Sequence, residues 1–327
     1  MSGTRSAGTL DLLSAPVLPV IVVLGPTGVG KSDSLGRVLD GRFELISADS
    51  MQVYRGMDIG TAKPEPSLRA SFPHHLIDIL EPSEQFNAGE FVKRADILAR
   101  EIRGRGRMPV VSGGTGFYLR NFLFGLPGSP RGDPAVREAL RGELAREGLA
   151  ALAARLARAD PVAGARIQPG DTYRVLRALE VLQVTGRSLF SFDRPARLRP
   201  EYRFLVLGLQ RDRGDLYGRI DERVERMFRH GLMGEVRALL EAGFSERDPG
   251  MRGIGYREFL SWRRGCLTRS GLVESIQRDS RNYAKRQVTF FRALPEVRWL
   301  HAEDRGELCG RIEGFLSAAE NLQARPG

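Results

Sequence analysis

The sequence predicts an α/β fold: a mostly parallel sheet flanked by helices, with a helical insertion domain and a helical, basic C-terminal region. Three observations predict it. Short β-rich apolar runs alternate with helical patterns, the alternation breaks between about Pro127 and Pro200, and positive charge gathers between Gly250 and Arg292. Strands joined by helix-length crossovers pair in parallel and need cover on both faces. At 327 residues the chain suffices for one large domain with an insertion or for two ordinary domains, and 42% hydrophobic residues can build real cores.

Taken in order, residues 1–17 read as a flexible tail and not as a signal peptide, because Asp11, Ser14, Pro16 and Pro19 interrupt the first apolar stretch. The strand candidates are "PVIVVLG", "FELIS", "HLIDIL", "MPVVSGG", "YRFLVLGLQ" and "VRWL". Within the insertion, Val136, Leu140 and Leu144, then Leu149, Leu152 and Leu156, keep helical spacing, and Asp133-Pro134 supplies an N-cap and a first-turn proline. A second helix is expected from Asp171 to about Thr185, with Gly186 placed to stop it. The domain reading is therefore a core of residues 18–126 and 201–327 around an insertion of residues 127–200.

Composition excludes several classes of protein. No run approaches the roughly 20 apolar residues of a membrane-spanning helix. Cys266 and Cys309 are too few for a disulfide framework and read as buried or incidental. The four histidines make no metal-ligand spacing, and a structural role suits His74-His75 better than a catalytic one. A cytoplasmic protein is expected, and since nothing signals an obligate dimer, a monomer. The formal charge is +10, from 50 basic and 40 acidic residues. Between Gly250 and Arg292 ten basic residues meet three acids, interleaved with Tyr256, Trp262, Tyr283, Phe290 and Phe291. Such a stretch is either a solvated helical face or a surface for a phosphate backbone.

The sharpest motif is "GPTGVGKS", formed by Gly25, Pro26, Thr27, Gly28, Val29, Gly30, Lys31 and Ser32. It fits the P-loop pattern in the required context, after a strand and opening a helix, so the sheet is of the P-loop type. Backbone amides close on phosphate oxygens, Lys31 adds a point charge, and the Ser32 hydroxyl suits Mg²⁺. An ATP-binding kinase is the first thought. Such enzymes carry a metal-holding acid at the end of a second strand, whereas "MPVVSGG" runs into Ser112-Gly113-Gly114-Thr115. Instead "FELISADS" delivers Asp49 to the edge of the sheet where ligands bind. A cradle plus a carboxylate without hydrolysis suits chemistry in which pyrophosphate departs and the acid activates a nucleophile.

"GPTGVGKS", "SADSMQVYRGMDIGTAKP", "HHLID", "SGGTGFYL", "DTYRVLRALEV", "RGIGYRE" and "YAKRQVTFFR" occur in this order over residues 20–300. Together they resemble the tRNA dimethylallyltransferases (tRNA isopentenyltransferases) of bacterial type. The resemblance implies transfer of a dimethylallyl group from dimethylallyl diphosphate to the N6 amine of the adenosine immediately 3′ of the anticodon, in tRNAs reading U-starting codons, with Mg²⁺ as cofactor. It implies Asp49 as general base, and Thr27 and Arg219 beside the departing diphosphate, with Arg223 a rival for the arginine role. It implies tRNA contacts at Asp49, Ser50, Met51, Gln52, Thr115 and Arg137, and at Tyr173, Arg174, Val175, Leu176 and Arg177. Further contacts would fall at Arg252, Gly253, Ile254, Gly255, Tyr256 and Arg257, and at Lys285, Arg286, Gln287, Val288, Thr289, Phe290, Phe291 and Arg292. Asp33, Ser34, Asn282 and Phe290 depart from the residues more usual at those places, which puts only local contacts in doubt.

Of the basic residues only Lys31, Lys63, Lys93 and Lys285 are lysine, and three of them lie in these motifs. A compact ammonium in place of a planar fork is the expected requirement there. The competing reading is a P-loop small-molecule or nucleotide kinase with a helical lid. A third is a nucleic-acid-binding P-loop protein without transferase activity.

Overall fold

The computed structural model describes residues 17–130 and 132–323. The expected tail lies, but for Val17, outside the described residues. Six strands form one parallel sheet: β1 (Leu18–Leu24), β2 (Phe43–Ser47), β3 (His74–His75), β4 (Met108–Gly113), β5 (Tyr202–Gln210) and β6 (Arg298–His301), in the order β3-β2-β4-β1-β5-β6. β1 is buried almost throughout and β2 entirely, as strands covered on both faces must be.

Helices fill the crossovers. In chain order they are α1 (Lys31–Leu35), α2 (Pro66–Ser71), α3 (Ala88–Gly104), α4 (Gly116–Phe124), α5 (Pro134–Ala159), α6 (Pro161–Arg166), α7 (Thr172–Thr185), α8 (Arg213–Arg229), α9 (Leu232–Glu241), α10 (Tyr256–Arg263), α11 (Arg269–Arg292) and α12 (Arg305–Gln323). The described residues fall into two compact units, one of them Phe124–Leu198 and the other the remainder. In the larger unit Ile21, Val23, Phe43, Val110 and Leu207 of the sheet pack with Ile220 and Ile312. A second cluster joins Val53, Tyr54 and Met57 to Val236, Tyr256 and Ile276.

The smaller unit is helical. Asp133 caps α5 through Oδ1, which accepts from the amides of Ala135 and Val136 at 2.8 and 3.1 Å, with Pro134 in the first turn. Gly148, at φ 80°, interrupts α5. α7 stops at Gly186, whose φ of 67° is left-handed. Leu140, Leu152 and Leu156 meet Val175 and Leu179 in its core.

One strand expectation needs correction. "HLIDIL" contributes only His75 to the two-residue β3 and then makes a single bridge, between Leu80 and Tyr54. Leu76 and Asp78 take positive φ values of 62° and 56°, which end the pleat. Asp78 turns its carboxylate to Lys63 and Arg69. Cys266 and Cys309 are also not buried; both are exposed free thiols.

Candidate active site

Strand register sets the site. Leu24 stands opposite Gly113, and Ser47 opposite Ser112. The three loops leaving β1, β2 and β4 (25–32, 48–52 and 114–116) therefore emerge side by side at the C-terminal edge of the sheet, where open α/β sheets bind ligands.

The first loop is the cradle. Gly30 takes φ 101° just ahead of α1, a conformation a side chain would strain. Lys31 Nζ donates to the carbonyls of Gly25 and Pro26 at 2.8 and 3.0 Å. Burial pushes this ammonium down to about 8, while Asp49 pulls it back up. Three arginines grip the loop from outside. Arg211 Nε donates to Val29 O at 2.8 Å, and Arg219 Nε to Gly28 O at 3.1 Å. Arg223 Nη1 donates to Thr27 Oγ1 at 2.9 Å and Nη2 reaches Thr61 O at 3.5 Å. Arg219 and Arg223 lie one turn apart on α8 and share a face. Arg219 also meets Asp33 Oδ2 at 3.4 Å, which explains what the unusual acid after the cradle does. Arg223 is the deeper of the two. Burial lowers its guanidinium below the ordinary value, and the Asp49 charge opposes that shift.

Asp49 follows β2. Its Oδ1 accepts from the amides of Met51 and Gln52 at 2.8 and 3.3 Å, so one oxygen closes the turn; Oδ2 makes no hydrogen bond among the described residues. The two readings of Asp49, turn former and base, thus belong to different atoms. Thr115 adjoins it: Oγ1 accepts from the Ser50 amide at 2.9 Å and donates to Ser50 Oγ at 3.3 Å. The hydroxyl of Thr115 therefore ties two loops together instead of capping α4. Gln52 Nε2 donates to the carbonyls of Thr61 and Ala62 at 3.4 and 3.3 Å.

The loop that carries Gln52 is pinned by two groups of which only one was legible. Lys63, buried, donates to Tyr54 O and Asp58 Oδ1 at 2.6 Å each and pairs with Asp78. Glu235 on α9 was not singled out. Its carboxylate accepts from the amides of Asp58, Ile59 and Gly60 at 2.7, 2.6 and 3.0 Å and from the Tyr256 hydroxyl at 2.7 Å. A lone acid on an amphipathic helix carries no sequence signal for such a role.

α11 runs past all three loops. Gln287 Oε1 accepts from the Thr27 amide at 2.8 Å, and its Nε2 donates to Gly114 O at 2.7 Å. Phe290 lies over Gly116, where an added Cβ would approach the ring to 2.5 Å. Tyr283, pushed up to about 12 by burial and the nearby Asp49 charge, has its hydroxyl beside Thr115 and Gln287. Lys285, Arg286, Thr289 and Arg292 are exposed, and Asn282, Lys285, Arg286, Thr289 and Phe290 line an open cavity of about 440 Å³. Val288 is half-buried and Phe291 sits in the interior.

The other expected RNA contacts divide in the same way. Arg252 is exposed, with Nη2 on Arg247 O at 3.0 Å, and Arg257 pairs with Glu258 and Asp279 at 2.6 and 2.9 Å. Gly253 and Ile254 are half-buried, whereas Gly255 and Tyr256 are buried. In the helical unit Tyr173 is 71% exposed beside an exposed Arg174. Val175 belongs to that unit's core, and the half-buried Leu176 packs against it. Arg137 and Arg177 both neutralise the buried Glu180, at 2.8 and 2.7 Å. His75 Nε2 meets Glu44 Oε2 at 2.7 Å and His74 Nδ1 meets Phe72 O at 2.9 Å, structural duties for both.

Several known proteins are similar to this chain. The family model described as IPP transferase matches residues 52–294. A tRNA dimethylallyltransferase of Syntrophobacter fumaroxidans is 46% identical over 299 residues, covering 90% of this chain and 87% of the relative. The solved tRNA isopentenylpyrophosphate transferase of Bacillus halodurans superposes with TM-score 0.67 at 36% identity, covering 94% of this chain and all of that one. A eukaryotic dimethylallyltransferase solved acting on tRNA gives TM-score 0.73 at 28% identity, over 94% of this chain and 80% of that one. The matched region runs from Gln52 to just past the end of α11, and the chain belongs to the IPP transferase family.

Proposed function

We propose that this enzyme transfers the dimethylallyl group of dimethylallyl diphosphate to N6 of the adenosine 3′ of the anticodon in tRNAs reading U-starting codons, releasing pyrophosphate. One observation carries the reading: a carboxylate oxygen of Asp49 without a hydrogen-bond partner stands within the electrostatic reach of Lys31 and Arg223. An acid flanked by cations at a phosphate cradle, with no acid at the end of β4, suits departure of a diphosphate and not transfer of a phosphoryl group.

The chemistry follows from these groups. The exocyclic amine attacks the first carbon of the donor, the C–N bond forms, the C–O bond to diphosphate breaks, and the amine proton passes to Asp49 Oδ2. A positioned base of this kind contributes about 10²–10⁴-fold. Lys31, Thr27, Arg219 and Arg223 meet the charge that grows on the leaving oxygens. Mg²⁺ fits beside them. No group of three or more His, Cys, Asp and Glu side chains among the described residues is arranged to hold an ion, but Mg²⁺ ordinarily takes one or two protein ligands and completes its shell with phosphate oxygens and water. Ser32, exposed at the start of α1, would be that ligand, and the bound ion would supply further positive charge to the diphosphate.

Asp49, Ser50, Met51, Gln52 and Thr115 surround the target adenosine in this reading, which requires the base to leave its stack. The exposed residues of α11, of 252–257 and of the helical unit then serve as anchors for the anticodon stem-loop, and the enzyme works as a cytoplasmic monomer. No described helix is long and apolar enough to cross a membrane. Incubation with unmodified tRNA, Mg²⁺ and labelled dimethylallyl diphosphate tests the whole: label in tRNA is expected, and phosphate transfer from ATP to an acceptor without prenyl transfer overturns it.

A further inference from the structure

We propose that Gln287 is a positioning residue for this reaction, one that fixes the donor cradle to the Gly114–Thr115 loop and does not touch RNA. The inference rests on the function above but concerns a residue that its segment would assign to tRNA. Gln287 is only 5% exposed, and both ends of its carboxamide are spent. Oε1 accepts from the Thr27 amide at 2.8 Å, and Nε2 donates to Gly114 O at 2.7 Å.

Two features show that this bridge is built into the fold. A Cβ at Gly114 would stand 2.5 Å from Gln287 Nε2, so glycine here lets the amide reach the Gly114 carbonyl, and a side chain would displace it. And Thr27, whose amide is the one taken, accepts at its hydroxyl oxygen from Arg223 Nη1 at 2.9 Å. Gln287 thereby sets the direction of a cradle residue whose other end meets an arginine of the leaving-group site. Through Gly114 it reaches Thr115, which holds the Ser50 amide next to Asp49. Lys285 and Arg286, two and one positions earlier, are exposed and turned away by about 200° and 100° around α11. The helix thus separates two tasks: exposed cations on one side, and on the other an amide that keeps the donor cradle and the base loop in fixed relation.

The test uses the full chain with three variants, Gln287→Leu, Gln287→Glu and Lys285→Ala, and three measurements: binding of inorganic pyrophosphate with Mg²⁺, binding of unmodified tRNA, and kcat/KM for dimethylallyl diphosphate. Gln287→Leu is expected to weaken pyrophosphate binding and to lower kcat/KM about tenfold or more while tRNA affinity stays within about twofold. Lys285→Ala is expected to do the reverse. Gln287→Glu keeps the acceptor for Thr27 but loses the donor to Gly114 and sets an anion beside the cradle; protonation restores the donor. Its deficit relative to the native enzyme should therefore shrink as pH falls, a response that a lost packing contact does not give.

Should Gln287→Leu fold poorly, the pH response of Gln287→Glu decides alone. The proposal is overturned if either Gln287 variant weakens tRNA binding as much as Lys285→Ala with pyrophosphate binding intact, or if both bind pyrophosphate and turn over as the native enzyme does. Because pyrophosphate binding is read without prenyl transfer, failure of the bridge and failure of the proposed activity give different results.

Discussion

Replacing Asp49 by asparagine separates two jobs that one side chain performs. Oδ1 closes the turn by accepting from the Met51 and Gln52 amides at 2.8 and 3.3 Å, and Oδ2 is the oxygen left for a substrate proton. Asparagine keeps an acceptor for the turn and loses only the base, so Asp49→Asn is expected to fold with native stability, to bind tRNA and pyrophosphate, and to lose about 10²–10⁴-fold in the chemical step. Alanine loses both. Asp49→Ala should show the same kinetic deficit plus the cost of a lost cap, about 1 kcal/mol, which in a chain of this size lowers Tm by a few degrees at most. Single-turnover prenyl transfer at saturating donor, alongside thermal unfolding of both variants, reads the two effects apart. Retention of more than about a tenth of the native single-turnover rate by Asp49→Asn would refute the assignment of Oδ2 as the base.

Other outcomes follow from the same geometry. Arg223→Ala should raise the KM for donor more than Arg219→Ala does, because Arg223 is the arginine that meets Thr27 and senses Asp49; steady-state kinetics with tRNA saturating rank the two. Lys285→Ala and Arg286→Ala should each flatten the plot of log affinity for tRNA against log salt by about 0.7 if each neutralises one single-strand phosphate. Glu44, 2% exposed, is drawn down to about 2 from 4.5, first by the Arg105 guanidinium and then by His75. Its folded value lies below its unfolded one, so its stabilisation is complete above about pH 4.5 and is lost as pH falls towards 2. Screening of the half-exposed Arg105 leaves on the order of 2 kcal/mol. Glu44→Gln should remove it at neutral pH and flatten the acid limb of a chemical-denaturation series.

Five of the six strands were legible because each is a short apolar run bounded by Gly, Pro or charge, and burial on both faces of a parallel sheet demands such runs. "HLIDIL" misled because its apolar residues serve a loop: Asp78 leaves the pleat to reach Lys63, a tertiary demand that local pattern does not encode. The helical insertion was readable from Asp133, Pro134 and Gly186, whose roles are local. The places of the glycine-rich loop and of Asp49 were readable because each comes just after a strand. Arg211, Glu235 and the bridging role of Gln287 were not, since each meets a backbone group far away in the chain: Val29, Asp58 to Gly60, and Thr27 with Gly114. An arginine or glutamine on a helix reads the same whether it faces solvent, RNA or its own protein. Arg137 and Arg177 show this, for both were expected at RNA and both have an acid of their own in Glu180.

The four donors gathered on Glu235 bear on how a nucleic acid is received. A strip of main chain whose amides are already committed to an internal anion has few shapes left to choose among. Under the proposed function an incoming loop of RNA would then reorganise itself, and its extruded nucleotide would carry most of the entropic cost of docking. Discrimination would follow from that imbalance: an anticodon arm whose nucleotide unstacks readily enters a stiff socket at little expense, and one whose nucleotide stays stacked finds no yielding wall to meet it.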